Sequence, residues 1–149
     1  MQIVIETSKW SFRKRVKTEQ GFETAFLSPI PTPFNYGFIE DTEGEDGAPL
    51  DIVVLGPKLD TGTRPNLGII GRVKFIDDSK EDDKYIATTD GHHHETAIKI
   101  FFTLYAFSKL ILGLIHQRQI TKNSFNGVEW YETEVKSASD IQNCSNQLE

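Results

Sequence analysis

Ile52-Val53-Val54-Leu55-Gly56-Pro57, followed by Leu67-Gly68-Ile69-Ile70-Gly71-Arg72-Val73-Lys74-Phe75-Ile76, is the stretch on which the fold turns. Both apolar runs are rich in β-branched residues and bounded by turn residues, the pattern of buried strands. Gly56-Pro57 and Thr61-Gly62-Thr63 mark the turn between them. Gly68 and Gly71 belong to the second run, where a barrel strand bends or bulges. Asp77 to Asp83 is then an acidic connection, and Lys84 to Thr88 a further short strand. Short strands at close spacing, with such bends, predict a small closed or partly closed barrel.

Working upstream, residues 1 to 6 read as an opening strand with Ile3 and Ile5 on one face. The basic cluster Arg13-Lys14-Arg15-Val16-Lys17 reads as a solvated strand edge, turned back at Gly21 into Phe22 to Leu27. Pro29, Pro31 and Pro33 make residues 28 to 34 an extended connection, because proline fits neither a helix interior nor a central strand. Tyr36 to Ile39 is a short strand.

Downstream, Glu95 to about His116 has helical length and an acidic start. Ile98, Phe101, Phe102, Tyr105 and Leu112 lie on one side, with Leu104, Phe107, Ile111 and Leu114 elsewhere. A helix apolar all round needs cover all round. One face packs on the barrel, and the other requires a second subunit or the C-terminal segment, so a homo-oligomer is expected. Val128 to Val135, with Trp130 and Tyr131, adds a last strand. Residues 1–136 are predicted to form one domain, and 137–149 a polar, partly frayed tail.

With 149 residues the chain can bury one proper core. Its net charge of −6 argues against broad nucleic-acid binding, which needs a basic footprint. An anionic substrate is still compatible, because bound cations reverse the local sign. The single cysteine, Cys144, excludes an intrachain disulfide framework and fits a reducing compartment. The first residues turn charged too quickly for a secretory signal. Lys99 and Lys109 interrupt Ala97 to Ile115, which argues against a membrane span. A cytoplasmic protein with no membrane partner is expected.

Asp46 and Asp51 bracket a Gly/Pro turn, and Asp77 and Asp82 repeat that spacing beyond the next strand. Four such carboxylates can converge at one barrel mouth, where crowded like charges call for a cation and hard oxygens suit Mg²⁺. Aspartates that merely close turns would show the same spacing. Three consecutive imidazoles, His92-His93-His94, cannot converge on one ion from regular structure and read as a solvated loop. No serine or cysteine has the partners that covalent catalysis requires.

Ile3-Val4-Ile5-Glu6, Asn35-Tyr36-Gly37-Phe38-Ile39, Asp46-Gly47-Ala48-Pro49-Leu50-Asp51, and Asp77-Asp78 through Asp82-Asp83-Lys84-Tyr85-Ile86-Ala87 together closely resemble the soluble inorganic pyrophosphatases of family I. Order and spacing agree over about residues 3 to 87. Phe101-Phe102 with Tyr105, and Val128-Glu129-Trp130, agree more weakly. The resemblance implies an α+β, mainly β fold: an OB-like five-stranded β-barrel with a long C-terminal helix packed against it. It also implies hydrolysis of inorganic pyrophosphate to two phosphates by a metal-activated water. The cofactor would be several Mg²⁺ ions, with Mn²⁺ or Zn²⁺ as substitutes, in a homo-oligomer.

By position, the resemblance makes Asp46, Asp51 and Asp82 ligands of the tighter metal pair and Asp77 a ligand of another. Glu6 matches an acidic residue near a further metal. Tyr36, Lys84 and Tyr105 match groups at the phosphates or the nucleophile, and Arg13 stands where the family has a lysine. The catalytic set is then Tyr36, Asp46, Asp51 and Asp82. Ala48 replaces an aspartate that orients or deprotonates the attacking water, which predicts reduced activity. Arg15 replaces a glutamate and Ala106 a lysine. Lys109, one helical turn beyond Tyr105, is with Arg15 the candidate to restore some of that charge toward substrate. The same departures define a second expectation: a catalytically degenerate homologue that acts as a metal/phosphate-binding or protein-interaction module.

Overall fold

The computed structural model describes residues 1–44, 47–77, 79–116, 122–137 and 140–141, with residues 112–116 by backbone alone. Asp46, Asp78, Cys144, most of the tail and the side chains of Leu112 and Leu114 lie outside the described residues. The chain runs β1 (Ile3–Thr7), β2 (Arg13–Thr18), β3 (Gly21–Leu27), β4 (Asn35–Ile39) and β5 (Asp51–Leu55). It continues through β6 (Ile69–Asp77), β7 (Lys80–Glu81), β8 (Lys84–Thr88), α1 (Glu95–His116) and β9 (Ser124–Val135).

β5 and β8 pair in parallel at the centre of the sheet. Their runs are nearly all apolar because both faces are covered. Alternation sends Val53, Leu55 and Ile86 to the core under α1, and Ile52, Val54, Tyr85 and Ala87 to a second core on the opposite face. β4 and then β1 extend one side in antiparallel register, and β6 extends the other, carrying β7 and β9. A Cβ at Gly37 would run into the Val4 carbonyl, so only glycine lets β4 approach β1 there.

The five-strand path β1-β4-β5-β8-β6 corresponds to the expected mainly β barrel with a long helix packed on it. Strand pairing leaves it open between β1 and β6, where irregular backbone bridges the gap. Ile3 and Ile5 donate their N–H groups to the carbonyls of Pro65 and Thr63, at 3.0 and 2.9 Å. Pro65 has no N–H to return, so a regular ladder cannot form. β9 starts earlier than the expected Val128. Phe125 packs against the α1 core, and the register shift between Lys74 and Phe75 accommodates Asn126 as an extra residue in the strand.

Within that core, Phe34, Phe75 and Phe102 are almost wholly buried, the Phe102 ring centroid lying 5.9 Å from that of Phe34 and 5.7 Å from that of Phe75. Ile98, Phe101, Phe102 and Ala106 face inward from α1. Its other side leaves Ile100, Leu104, Phe107 and Ile111 exposed in the single chain. Among the described residues, no helix is long and apolar enough to cross a membrane.

Asn35 opens β4 with no solvent exposure. Its side-chain carbonyl accepts the N–H groups of Lys9 and Leu59 at 3.1 and 2.8 Å, and its amide donates to the carbonyls of Val54 and Pro57 at 3.3 and 2.9 Å. All four of its bonding positions are therefore filled.

Candidate active site

Four side chains from the sheet form a connected polar row. Tyr36 points from β4, Asp51 opens β5, Asp82 precedes β8, and Lys84 is the first residue of β8. The Tyr36 hydroxyl donates to Asp51 Oδ2 at 2.5 Å. Lys84 Nζ donates to the same oxygen at 2.6 Å and also to Asp82 Oδ1. Alternation along β8 explains the placement: Lys84 and Ile86 share a face, so the ammonium lies at the end of an apolar stripe.

Burial alone would lower the Lys84 pKa, but Asp51 and Asp82 outweigh it and hold the amine above its ordinary value. Burial, reinforced by the adjacent Asp51 carboxylate, raises the Tyr36 phenol well above its usual range. Tyr36 therefore stays a proton donor and Lys84 a cation at neutral pH. A buried ammonium shared by two carboxylates is a stable arrangement only with this geometry.

The row lines a cavity of about 170 Å³. Tyr105 from α1 forms part of the same lining, with Phe101 and Phe102 beside it. Burial raises the Tyr105 phenol, while Lys109 pulls it the other way. The remaining wall comes from the β2–β3 hairpin, through Lys14 and Phe26, and from Ser28 and Thr32 in the connection that follows it. Lys14 Nζ lies 3.0 Å from the centroid of the Tyr36 ring. Burial pushes its amine down to about 7, with Asp51 acting in the opposite direction.

Lys14 is the residue that the sequence reading missed. Arg13 was expected to hold substrate, yet Arg13 is exposed and absent from the cavity lining. Successive strand residues point to opposite faces, so a one-position difference exchanges an outward side chain for an inward one. The register shift between Lys14 and Arg15 obscures this in a run of similar cations. The solvated-edge reading of the cluster does not hold for Lys14.

Glu6 is buried, and its carboxylate accepts the Lys17 N–H at 2.6 Å. Burial raises its pKa, and it lies within electrostatic range of Asp51 and Lys14. Asp77 is held elsewhere, in an ion pair with Lys109 across from the end of β6. Lys109 accordingly lies outside the cavity lining, and its charge is directed at Asp77. Ala48 is exposed, and its carbonyl accepts the Gly44 N–H at 2.7 Å. His92, His93 and His94 are exposed before α1. His93 stacks on Trp130 at 4.4 Å between ring centroids, and His94 pairs with Asp90 at 3.2 Å.

Among the described residues no three His, Cys, Asp or Glu side chains form a ready metal cluster. Asp51 and Asp82 nonetheless fit a hard divalent cation. Both are oxygen donors, both side chains are about one third exposed (35 and 38 %), and the positive Lys84 ammonium already bridges them. The cavity can therefore take an anionic, oxygen-rich ligand between Lys14 and Lys84, with the Asp51 and Asp82 carboxylates alongside.

A family model described as inorganic pyrophosphatase matches residues 3–117. The inorganic pyrophosphatase of Corynebacterium efficiens is 31% identical over 103 residues, covering 64% of this chain and 63% of that protein. That of Neisseria meningitidis serogroup B is 33% identical over 113 residues, covering 74% and 60%. The match thus spans less than two thirds of the length of these curated relatives. The fold is similar to an inorganic pyrophosphatase from Helicobacter pylori, with a TM-score of 0.72 and 24% identity over 98% of this chain and 93% of that one. For the Neisseria gonorrhoeae enzyme the TM-score is 0.71 and the identity 21%, over 99% and 87%.

Proposed function

The chain belongs to the inorganic pyrophosphatase family, and we propose that it hydrolyses inorganic pyrophosphate to two phosphates, with Mg²⁺ as the metal and Mn²⁺ or Zn²⁺ as substitutes. The observation that supports this reading best is the row Tyr36–Asp51–Lys84–Asp82 along one cavity wall. Divalent cations bound there supply neutralisation of the phosphate oxygens and acidification of the attacking water.

Asp51 and Asp82 would hold metal, joined by Asp46, which lies outside the described residues. Lys84 would donate to a phosphate oxygen as metal relieves it of its carboxylates. Tyr36 and Tyr105, both kept protonated by burial, would donate hydrogen bonds to developing negative charge. Lys14 would grip the far phosphate from the hairpin. Glu6, tied to the Lys17 backbone, would orient the hairpin and add negative charge near a further metal.

Ala48 leaves no side-chain base at its position. A lost general base typically costs ~10²–10⁴ in rate, so slow turnover is expected. The exposed apolar side of α1 supports assembly with further copies of the chain, and the single cysteine supports a cytoplasmic setting. The test is phosphate release from pyrophosphate with Mg²⁺, using Asp82→Ala as control. Release that depends on Asp82 supports the reading. Absence of release with Mg²⁺, Mn²⁺ and Zn²⁺ overturns it.

A further inference from the structure

Asp77 and the Asp51–Asp82 pair present themselves very differently. Asp51 and Asp82 keep about a third of their side chains in solvent. One oxygen of Asp77, Oδ2, is taken by the Lys109 ammonium. The other, Oδ1, is closed off from solvent and has no hydrogen-bond donor among the described residues. An incoming ion therefore competes with the Lys109 ammonium for Oδ2. Lys109 is itself held in place, with its ammonium 5.6 Å from the Tyr105 ring centroid and only a third of its side chain exposed. One turn earlier, Ala106 is buried in the core and supplies no charge.

We propose that Lys109 is a built-in counter-cation for Asp77, occupying by its ammonium the position that a divalent ion would otherwise fill there. The inference rests on the metal-dependent reading above and makes Lys109 a positioning residue. A tethered charge of +1 balances one carboxylate without drawing on dissolved metal, and a divalent ion must displace it to bind. The chain would then assemble its site with one divalent ion fewer than its carboxylates could otherwise hold.

Mn²⁺ titration of the purified protein, followed by electron paramagnetic resonance of the free ion, tests this without turnover. Lys109→Met is expected to bind one more Mn²⁺ than wild type, or to bind its weakest ion roughly tenfold more tightly. Lys109→Arg, which keeps the charge, should match wild type. In chelator, Lys109→Met should melt lower than wild type because Asp77 is left as a partly buried unpaired charge, and Mn²⁺ should restore it. Lys109→Gln serves as a second neutral variant if Lys109→Met folds poorly. Equal stoichiometry and affinity in wild type and both neutral variants overturns the inference. Asp82→Ala in the same titration separates the two readings: Mn²⁺ binding unchanged by that substitution counts against the metal-site reading itself.

Discussion

Two walls of the same cavity are built by different rules. The sheet wall, carrying Tyr36, Asp51, Asp82 and Lys84, rises from β4, β5 and β8, whose apolar residues are buried on both faces. The hairpin wall, carrying Lys14 and Phe26, belongs to a separate two-stranded sheet with Val16, Phe26 and Leu27 exposed. Burial fixes the first wall to the core's geometry. The second is tied down chiefly at individual points, such as the Lys17 N–H on Glu6 and the Arg15 N–H on the Thr7 hydroxyl at 2.9 Å. The expected division of labour follows: transition-state chemistry on the rigid wall, substrate capture on the other.

The sharpest break would come at Lys84. Replacing it by methionine removes the cation shared by Asp51 and Asp82 and should lower kcat for pyrophosphate by ~10²–10³, the scale of losing one preorganised donor. At Lys14 the effect should fall on KM. A charge-assisted hydrogen bond of about 1.5–3 kcal/mol gives a KM roughly tenfold to hundredfold higher for Lys14→Ala. If steady-state kinetics instead show a fall in kcat with KM unchanged, the division between the walls is wrong.

A third comparison concerns stability. Gly37→Ala, in the sheet wall, would push a Cβ against the Val4 carbonyl and should cost about 1–3 kcal/mol in a urea unfolding curve. Val16→Ala, on the exposed hairpin, should stay within about 0.5 kcal/mol. Equal losses would mean that both walls belong to one packed unit.

The last comparison is a pH slope. The Lys14 amine is depressed to about 7 in the folded chain, against 10.5 ordinarily. Between those values the unfolded chain binds a proton that the folded chain has shed. Stability should therefore rise with pH across that window. Urea midpoints measured from pH 7 upward should show this slope in wild type and lack it in Lys14→Met.

The difference between the walls also governs what could be read from sequence. Ile52 to Leu55 and Lys84 to Thr88 announce themselves through apolar continuity and fixed spacing to Asp51 and Asp82, so the sheet wall was legible. The hairpin has no buried stripe to set its register, and Arg13, Lys14 and Arg15 are nearly interchangeable by composition. Only three-dimensional pairing, with its shift after Lys14, decides which cation turns inward. The pairing of Lys109 with Asp77 was hidden for another reason. Helical spacing places Lys109 below Tyr105, but nothing local states that the end of β6 passes beneath that turn. Arg64 to Asn66 was likewise silent, because bridging backbone beside a proline carries no alternation to detect.

Asn35 has a consequence for exchange with solvent. The amide protons of Lys9 and Leu59 sit in loops far apart in the chain, yet both end on the same buried side-chain oxygen. Unseating the Asn35 side chain would strip both protons of their acceptor at once. In the language of native-state exchange, loss of that anchor is a single opening event shared by the two loops and the start of β4.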